Sequence, residues 1–283
     1  MPAPPFSPPE AWPEYGWLAE PMEFCKARET VGISPRGIRY ATFPFCHEEY
    51  VGDVEPDLAE SKKGLYARNR WILWKRVTDG PVPIGWRVWQ WRPWRIDGVF
   101  DFDGRSYVDA WNDDARRNLK RWRNRFDGKE FVIETVSFGA FCDAYKKSTV
   151  ATRTKTFYLD ILSRKRALLP ADGQPELWGV RSVATGEIVA GVAVHFFSKY
   201  ATSVHECPFM LPGAGKVSAP TGLMDRWFSE SERRGMRTMV TPYLFRPGDP
   251  EEWRGPSDFK LHFGFRPVSY PPLLVRFVRG KLF

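Results

Sequence analysis

From Lys129 onward, apolar spacing switches between a period of two and a period of 3.6, in an order that few folds accept. Glu130-Phe-Val-Ile-Glu-Thr-Val136 alternates as a strand, and Phe138–Lys147 and Lys155–Leu169 carry helical spacing. In the second of these, Phe157, Leu159, Ile161, Leu162 and Leu168 form the apolar face. Three strands follow on tight connections: Glu176–Val183, Ile188–Phe197 after the turn Ala184-Thr-Gly-Glu187, and Ala201–Phe209. Pro220 suits the first turn of a helix over Thr221–Arg234, and Gly235 suits its C-terminal cap. Strand Thr238–Phe245, a short helix around Asp258–Phe263 and strand Pro272–Val278 complete the order β-α-α-β-β-β-α-β-α-β. That order specifies an α/β (α+β) domain with a mixed sheet flanked by helices.

A basic helix leads into this domain. Asn112 is placed to cap it, and Asp113 and Asp114 sit in the first turn, where carboxylates favour the positive end of the helix dipole. Ala115, Leu119, Trp122 and Phe126 make one apolar stripe, and Gly128 stops the helix. Arg116, Arg117, Lys120, Arg121, Arg123 and Arg125 cover the other faces. They either solvate the helix or form a basic wall for an anionic substrate, with Arg117 and Arg121 as candidate contacts.

Upstream the chain reads differently. Residues 1–14 are a Pro-rich tail, and 15–110 form a reduced N-terminal lobe ahead of the domain at 111–283. Strand-like runs lie at Gly37–Phe43, Asn69–Trp74 and Gly85–Trp91, with Pro and Gly between them. The segment Trp86-Arg-Val-Trp-Gln-Trp-Arg-Pro-Trp-Arg95 mixes indoles with guanidinium groups, the combination that stacked bases and phosphates require. Its plainer reading is an inner aromatic face with arginines solvating the edge. The functional one is a non-catalytic module that binds nucleic acid through this segment and the basic helix.

The formal net charge of +8 favours anionic partners. The N-terminus has no basic and apolar stretch of the signal-peptide kind, and no run approaches the roughly 20 apolar residues of a membrane span, so a cytoplasmic location is expected. Cys25, Cys46, Cys142 and Cys207 are far apart, which fits reduced thiols. Cys46-His47 and His205-x-Cys207 could supply four zinc ligands, but neighbours in an extended segment point opposite ways, so no metal is expected. His195, in an apolar strand, reads as a satisfied core histidine. No Gly-x-Ser-x-Gly elbow, His-Glu-x-x-His or helix-opening Gly-x-Gly-x-x-Gly is present.

The most specific local signal is Phe259-Lys260-Leu261-His262-Phe263-Gly264, between a strand-like run and a final strand. It resembles the Phe-Lys-x-x-Phe-Gly signature of Fem-type (FemAB-like) transferases, the peptidoglycan interpeptide-bridge enzymes of the wider GNAT acyltransferase superfamily. Fem-type sequences also carry a basic helix at the entrance to their second domain. The resemblance covers about 110–283; the two tandem GNAT-like domains usual in such enzymes have no full first copy here, and there is no coiled-coil arm.

The resemblance implies an acyl- or aminoacyltransferase moving an activated acyl group, from acyl-CoA or aminoacyl-tRNA as co-substrate, onto an amine acceptor. No tightly bound cofactor is implied. Lys260 would stabilise negative charge at the attacked carbonyl or hold a phosphate, and Phe259 would position its cleft. Tyr243 would donate a proton to the leaving group. GNAT-like folds splay two parallel strands around the donor, here Ala201–Phe209 and Thr238–Phe245. The turn Leu211-Pro-Gly-Ala-Gly-Lys216 would then receive a phosphate on Gly213, Gly215 and Lys216. That turn is neither a Walker A loop nor the Arg/Gln-x-x-Gly-x-Gly/Ala consensus of acyl-CoA enzymes. Asp258 either caps the short helix or orients Lys260.

Overall fold

The computed structural model of the protein describes residues 46–51, 55, 69–76, 78–93, 95–150, 152–168, 171–249 and 251–279. The chain divides into two compact units, Met1–Ile96 with Val268–Phe283, and Asp97–Pro267. The Pro-rich tail and the expected strand Gly37–Phe43 lie outside the described residues.

In the first unit, β1 (Cys46–Val51), β2 (Asn69–Lys75) and β3 (Arg87–Pro93) are joined by the C-terminal strand β11 (Pro272–Arg279). The sheet order is β1-β2-β11-β3. Thus the last strand, expected to close the large domain, completes this smaller sheet instead. Its Leu274 packs with Ile72, Trp74 and Trp86 in a buried cluster, and it runs antiparallel to both neighbours.

The second unit holds helix α1 (Asp113–Arg121), β5 (Phe131–Thr135), α2 (Phe138–Lys147), α3 (Thr152–Leu168), β6 (Glu176–Ser182), β7 (Ile188–Phe197) and β8 (Thr202–Met210). After these come α4 (Ala219–Arg233), β9 (Thr238–Thr241), α5 (Arg254–Leu261) and β10 (Arg266–Ser269). Asn112 caps α1 by accepting from the Ala115 amide at 2.9 Å. The helix runs on through a π turn, Trp122–Phe126, and the four stripe residues are all buried. The order expected from apolar spacing is present, with β10 added.

The large sheet has the order β10-β4-β9-β8-β7-β6-β5, where β4 is Ile96–Asp101. Strands β5 to β8 form an antiparallel meander, and β8 and β9 pair in parallel across the α4 crossover. Helix α4 ends in a Schellman motif: Gly235 N–H donates to Glu232 O at 3.0 Å and Met236 N–H to Ser231 O at 2.9 Å. Alternate residues of β7 serve two cores. Val192, Val194 and Phe196 join Trp111, Trp122, Trp227 and Phe228, whereas Ala193 joins Phe141, Tyr145 and Leu162 under α2 and α3.

Two strands depart from the sequence reading. β4 carries no alternation because Asp97, Gly98, Val99 and Phe100 are all buried between flanking strands. β9 ends at Thr241 rather than Phe245, since Pro242 has no N–H to give a ladder and Tyr243 takes φ 59°.

Gly222 on α4 lies against the π turn: a Cβ there would stand 2.4 Å from the Trp122 ring, itself only 1% exposed. Gly222→Ala is expected to destabilise the fold by about 1–3 kcal/mol through overpacking. Urea unfolding measures it, and an unchanged midpoint would refute this packing.

Candidate functional site

Strands β8 and β9 pair at Thr202 with Thr238, Ser203 with Met239 and Val204 with Val240, and there they part. From His205 onward the β9-facing edge of β8 has no strand partner. On its other edge β8 bulges: Ala193 pairs with Glu206 and Gly191 with Phe209, so Cys207 and Pro208 together oppose Val192. Cys207 has φ 48°, Ser218 at the start of α4 has φ 59°, and Tyr243 beyond β9 has φ 59°. These are three of the four non-glycine residues with positive φ among the described residues, and each comes after the paired stretch of β8 or β9, Cys207 still within β8. Such conformations cost of order 1–3 kcal/mol each and concentrate at functional sites. The carboxyl ends of parallel strands are also where open α/β sheets bind ligands.

His205 and Thr241 sit at the crotch of this fork, with imidazole Nε2 and hydroxyl Oγ1 3.2 Å apart. The ring is buried against Trp227 at 4.7 Å, and its Nδ1 has no hydrogen-bond partner. Burial, then the charge of Lys260, push the imidazole down to about 3, so it stays neutral near pH 7. Lys260 is itself buried, and its ammonium donates to Pro242 O at 2.6 Å and Tyr243 O at 3.3 Å. The Tyr243 amide donates to the fully buried Asp97 carboxylate at 3.1 Å, and the Phe245 amide to Ser257 Oγ at 2.7 Å. Side chains from β4 and α5 therefore hold the backbone that turns away after β9.

No family model and no curated protein matches the chain. Solved structures do. The crystal structure of FemX is similar over 84% of this chain and 82% of its own, with a TM-score of 0.60 and 10% identity. The likeness is one of fold. The C-terminal domain of a putative lysylphosphatidylglycerol synthetase from Agrobacterium fabrum matches at a TM-score of 0.51 and 11% identity, over 81% of this chain and 77% of that one. L-PGS from Bacillus licheniformis gives 0.52 and 12%, over 81% and 77%.

The residues singled out from the sequence take separate places in this fold. Phe259 packs edge-on against Phe263 at 4.8 Å and borders the core of Trp111, so it braces α5 from the apolar side. Tyr243 lies beyond its strand and is 41% exposed. Asp258 is not a cap: α5 begins four residues earlier, at Arg254, and Asp258 is exposed in its middle. In the turn before α4, Gly213 (φ 90°) and Gly215 face open space, Lys216 is exposed, and Ser218 gives α4 no side-chain cap. On α1, Arg117 pairs with Asp114 and Arg116 with Asp113, so the carboxylates of the first turn neutralise two of the cations. Arg121 is exposed, with its guanidinium over Phe126 at 5.6 Å. Among the described residues, no helix is long and apolar enough to cross a membrane.

On the other side of β8 the charges close on themselves. Burial raises the Glu206 carboxyl, but Lys165 and His195 outweigh it and bring the group down to about 2. His195 also meets Gly173 O at 2.7 Å, as a satisfied core histidine should. The two residues of His205-x-Cys207 go to separate partners, the Cys207 thiol pointing at Tyr158 O and pushed up by burial. Side chains of Cys46 and His47 lie outside the described ones. Sequence reading passed over His205 and Thr241 as fork residues, and Asp97 altogether. The one available signal was a lone carboxylate inside the apolar stretch Ile96–Phe100.

The neutral His205 has a pH signature. An unfolded imidazole titrates near 6.5 and the folded one at about 3, so below 6.5 the unfolded chain takes up the additional proton. The contribution of this residue is complete above about pH 6.5 and is lost as pH falls toward 3. Between pH 6 and 5 it removes about 1 kcal/mol of unfolding free energy, a loss absent in His205→Gln. Glu206 adds its own loss only below its ordinary carboxylate range, from about 4.5 downward. Denaturant titrations at both pH values compare the two chains, and identical slopes would exclude a buried neutral His205.

Proposed function

We propose that the protein is an acyl- or aminoacyltransferase that moves an activated acyl group onto an amine, with the unit Asp97–Pro267 carrying the reaction. The observation that carries this reading is the fork, where a parallel pair of three residues opens beside strained backbone, a buried lysine and an uncapped helix N-terminus. The other unit, Met1–Ile96 with Val268–Phe283, serves as an accessory lobe.

The donor lies in the fork. Its carbonyl oxygen is polarised by backbone N–H groups on the free edge of β8, and its phosphate rests at the turn of Gly213, Gly215 and Lys216 before α4. Open space over both glycines and the missing side-chain cap support that placement. The acceptor amine attacks the carbonyl carbon. The new N–C bond forms as the bond to the thiol sulfur or ribose oxygen breaks, and the amine proton passes to water or to the substrate's own groups. Lys260 stabilises the oxyanion; its ammonium is already fixed by two carbonyls, so little reorganisation accompanies the reaction. Tyr243 protonates the leaving group, and Phe259 braces the helix that carries Lys260. Arg121, exposed on α1, attracts the anionic part of the donor, whereas Arg117 is engaged by Asp114.

Acyl-CoA and aminoacyl-tRNA both satisfy this scheme. The lysyl group in the name of the Agrobacterium fabrum relative supports an aminoacyl donor. Purified protein offered charged tRNAs and a panel of acyl-CoAs, with amine acceptors, is expected to consume one class. Lys260→Met should slow transfer by roughly 10²–10³-fold, the order of loss for one oxyanion donor. Its thermal unfolding is measured alongside to separate catalysis from folding. Undiminished turnover in a folded Lys260→Met, or no donor consumed by the intact chain, would remove this reading.

A further inference from the structure

The four-stranded sheet of the first unit has two unlike faces. On one, Ile72, Trp74, Trp86 and Leu274 are buried together, and the only described carboxylate bound there, Glu55, accepts from the Trp86 indole at 2.8 Å. Strand alternation sends Trp71, Trp89 and Phe277 to the opposite face. There the Trp71 ring lies 5.1 Å from Phe277 and 5.9 Å from Trp89, the latter contact edge-to-face at 64°. The cluster spans three strands, since β11 runs between β2 and β3. Val275, on this same side of β11, is only 5% exposed.

These rings are not a closed core. Trp89 is 52% exposed and Phe277 37%. The edge-to-face contact fixes the tilt of the Trp89 indole and leaves it half in solvent, an arrangement that costs hydrophobic free energy in the absence of a partner. Charge selects the partner. Of the cations in β2, β3 and β11, strand alternation places Lys75 and Arg87 on the face of Trp89, whereas Arg276 belongs to the other face and meets Glu55 at 3.5 Å; the three strands contain no aspartate or glutamate. Arg87 is exposed and shares the face of Trp89, two residues away.

We propose that this outward face of β2, β11 and β3 is a stacking surface for unpaired bases of single-stranded nucleic acid. Successive bases rest on Trp89 and Phe277, while Arg87 and its neighbours neutralise the backbone phosphates. A base has a π-face whatever its identity, so the surface is tolerant of sequence. A duplex hides its base faces and is excluded from the aromatic contact. This reading concerns the first unit alone and holds whether or not the fork of the second unit transfers an acyl group.

The test uses the full chain and a labelled oligouridine of about 12 nucleotides, followed by fluorescence anisotropy. Binding is expected with tryptophan quenching. Trp89→Ala should weaken it by about tenfold, the order lost with one base–aromatic stack, and Trp89→Phe should restore most of it. Arg87→Ala should leave stacking intact but reduce the steepness of the salt dependence by about 0.7 in the log–log slope. Four results would overturn the proposal. These are no binding at low salt, equal affinity in Trp89→Ala, a duplex of the same length binding as tightly, or vesicles of phosphatidylglycerol capturing the chain through Trp89 without competition from the oligouridine.

Discussion

A parallel ladder that stops after three residue pairs leaves polar backbone with nowhere to go, and the chain meets that demand with side chains. Beyond Thr241 the backbone cannot continue, because Pro242 brings no N–H and Tyr243 turns left-handed. The groups released from the ladder are then matched one by one. Asp97 takes the Tyr243 amide, Lys260 takes the carbonyls of Pro242 and Tyr243, and Ser257 takes the Phe245 amide. Buried backbone groups are costly to leave unmade, by about 1–3 kcal/mol each. The gap between β8 and β9 is therefore a built feature, over-determined from both β4 and α5.

The same strand presents opposite chemistry to its two faces. Glu206 points to the α3 side, where Lys165 and His195 satisfy it, and the result is a closed ionic cluster that ties α3 to the sheet. His205 points the other way, to Trp227 and the fork, and keeps one ring nitrogen without a partner. Deep burial and a neighbouring ammonium keep it uncharged. A bulge at Cys207 and Pro208 follows directly after both residues and re-aims the rest of β8.

Much of this was legible in the chain, and the reasons differ by element. Helix α1 declared itself through Asn112, the two aspartates and a four-residue apolar stripe, all of which act locally. The end of α4 was legible because Gly235 alone satisfies the left-handed position of its Schellman motif. β4 was not, since a strand buried on both faces loses alternation, and Asp97 disguised it further. The destination of β11 was also hidden: its apolar pattern suits either sheet, and only pairing with β2 and β3 decides between them. At the fork, Lys260 stood out by its aromatic and glycine neighbours, whereas His205 had no signal beyond its residue type. The partners that give His205 meaning, Thr241 and Lys260, are 36 and 55 positions away in sequence.

Lys260 raises a question of economy that bears on its role. A clamp for two carbonyls needs donors only, and an amide side chain supplies them without a charge. Using an ammonium adds the desolvation of a full cation, which carbonyl dipoles offset in part. It also imposes a penalty on protonating His205, which is held neutral beside it. An ammonium beside a parted strand pair, in surroundings of low dielectric, acts strongly on any negative charge that develops nearby. That is the physical content of the transfer role proposed for this residue. It also explains why the helix bearing it is wedged by Phe259 on one side and stitched by Ser257 on the other.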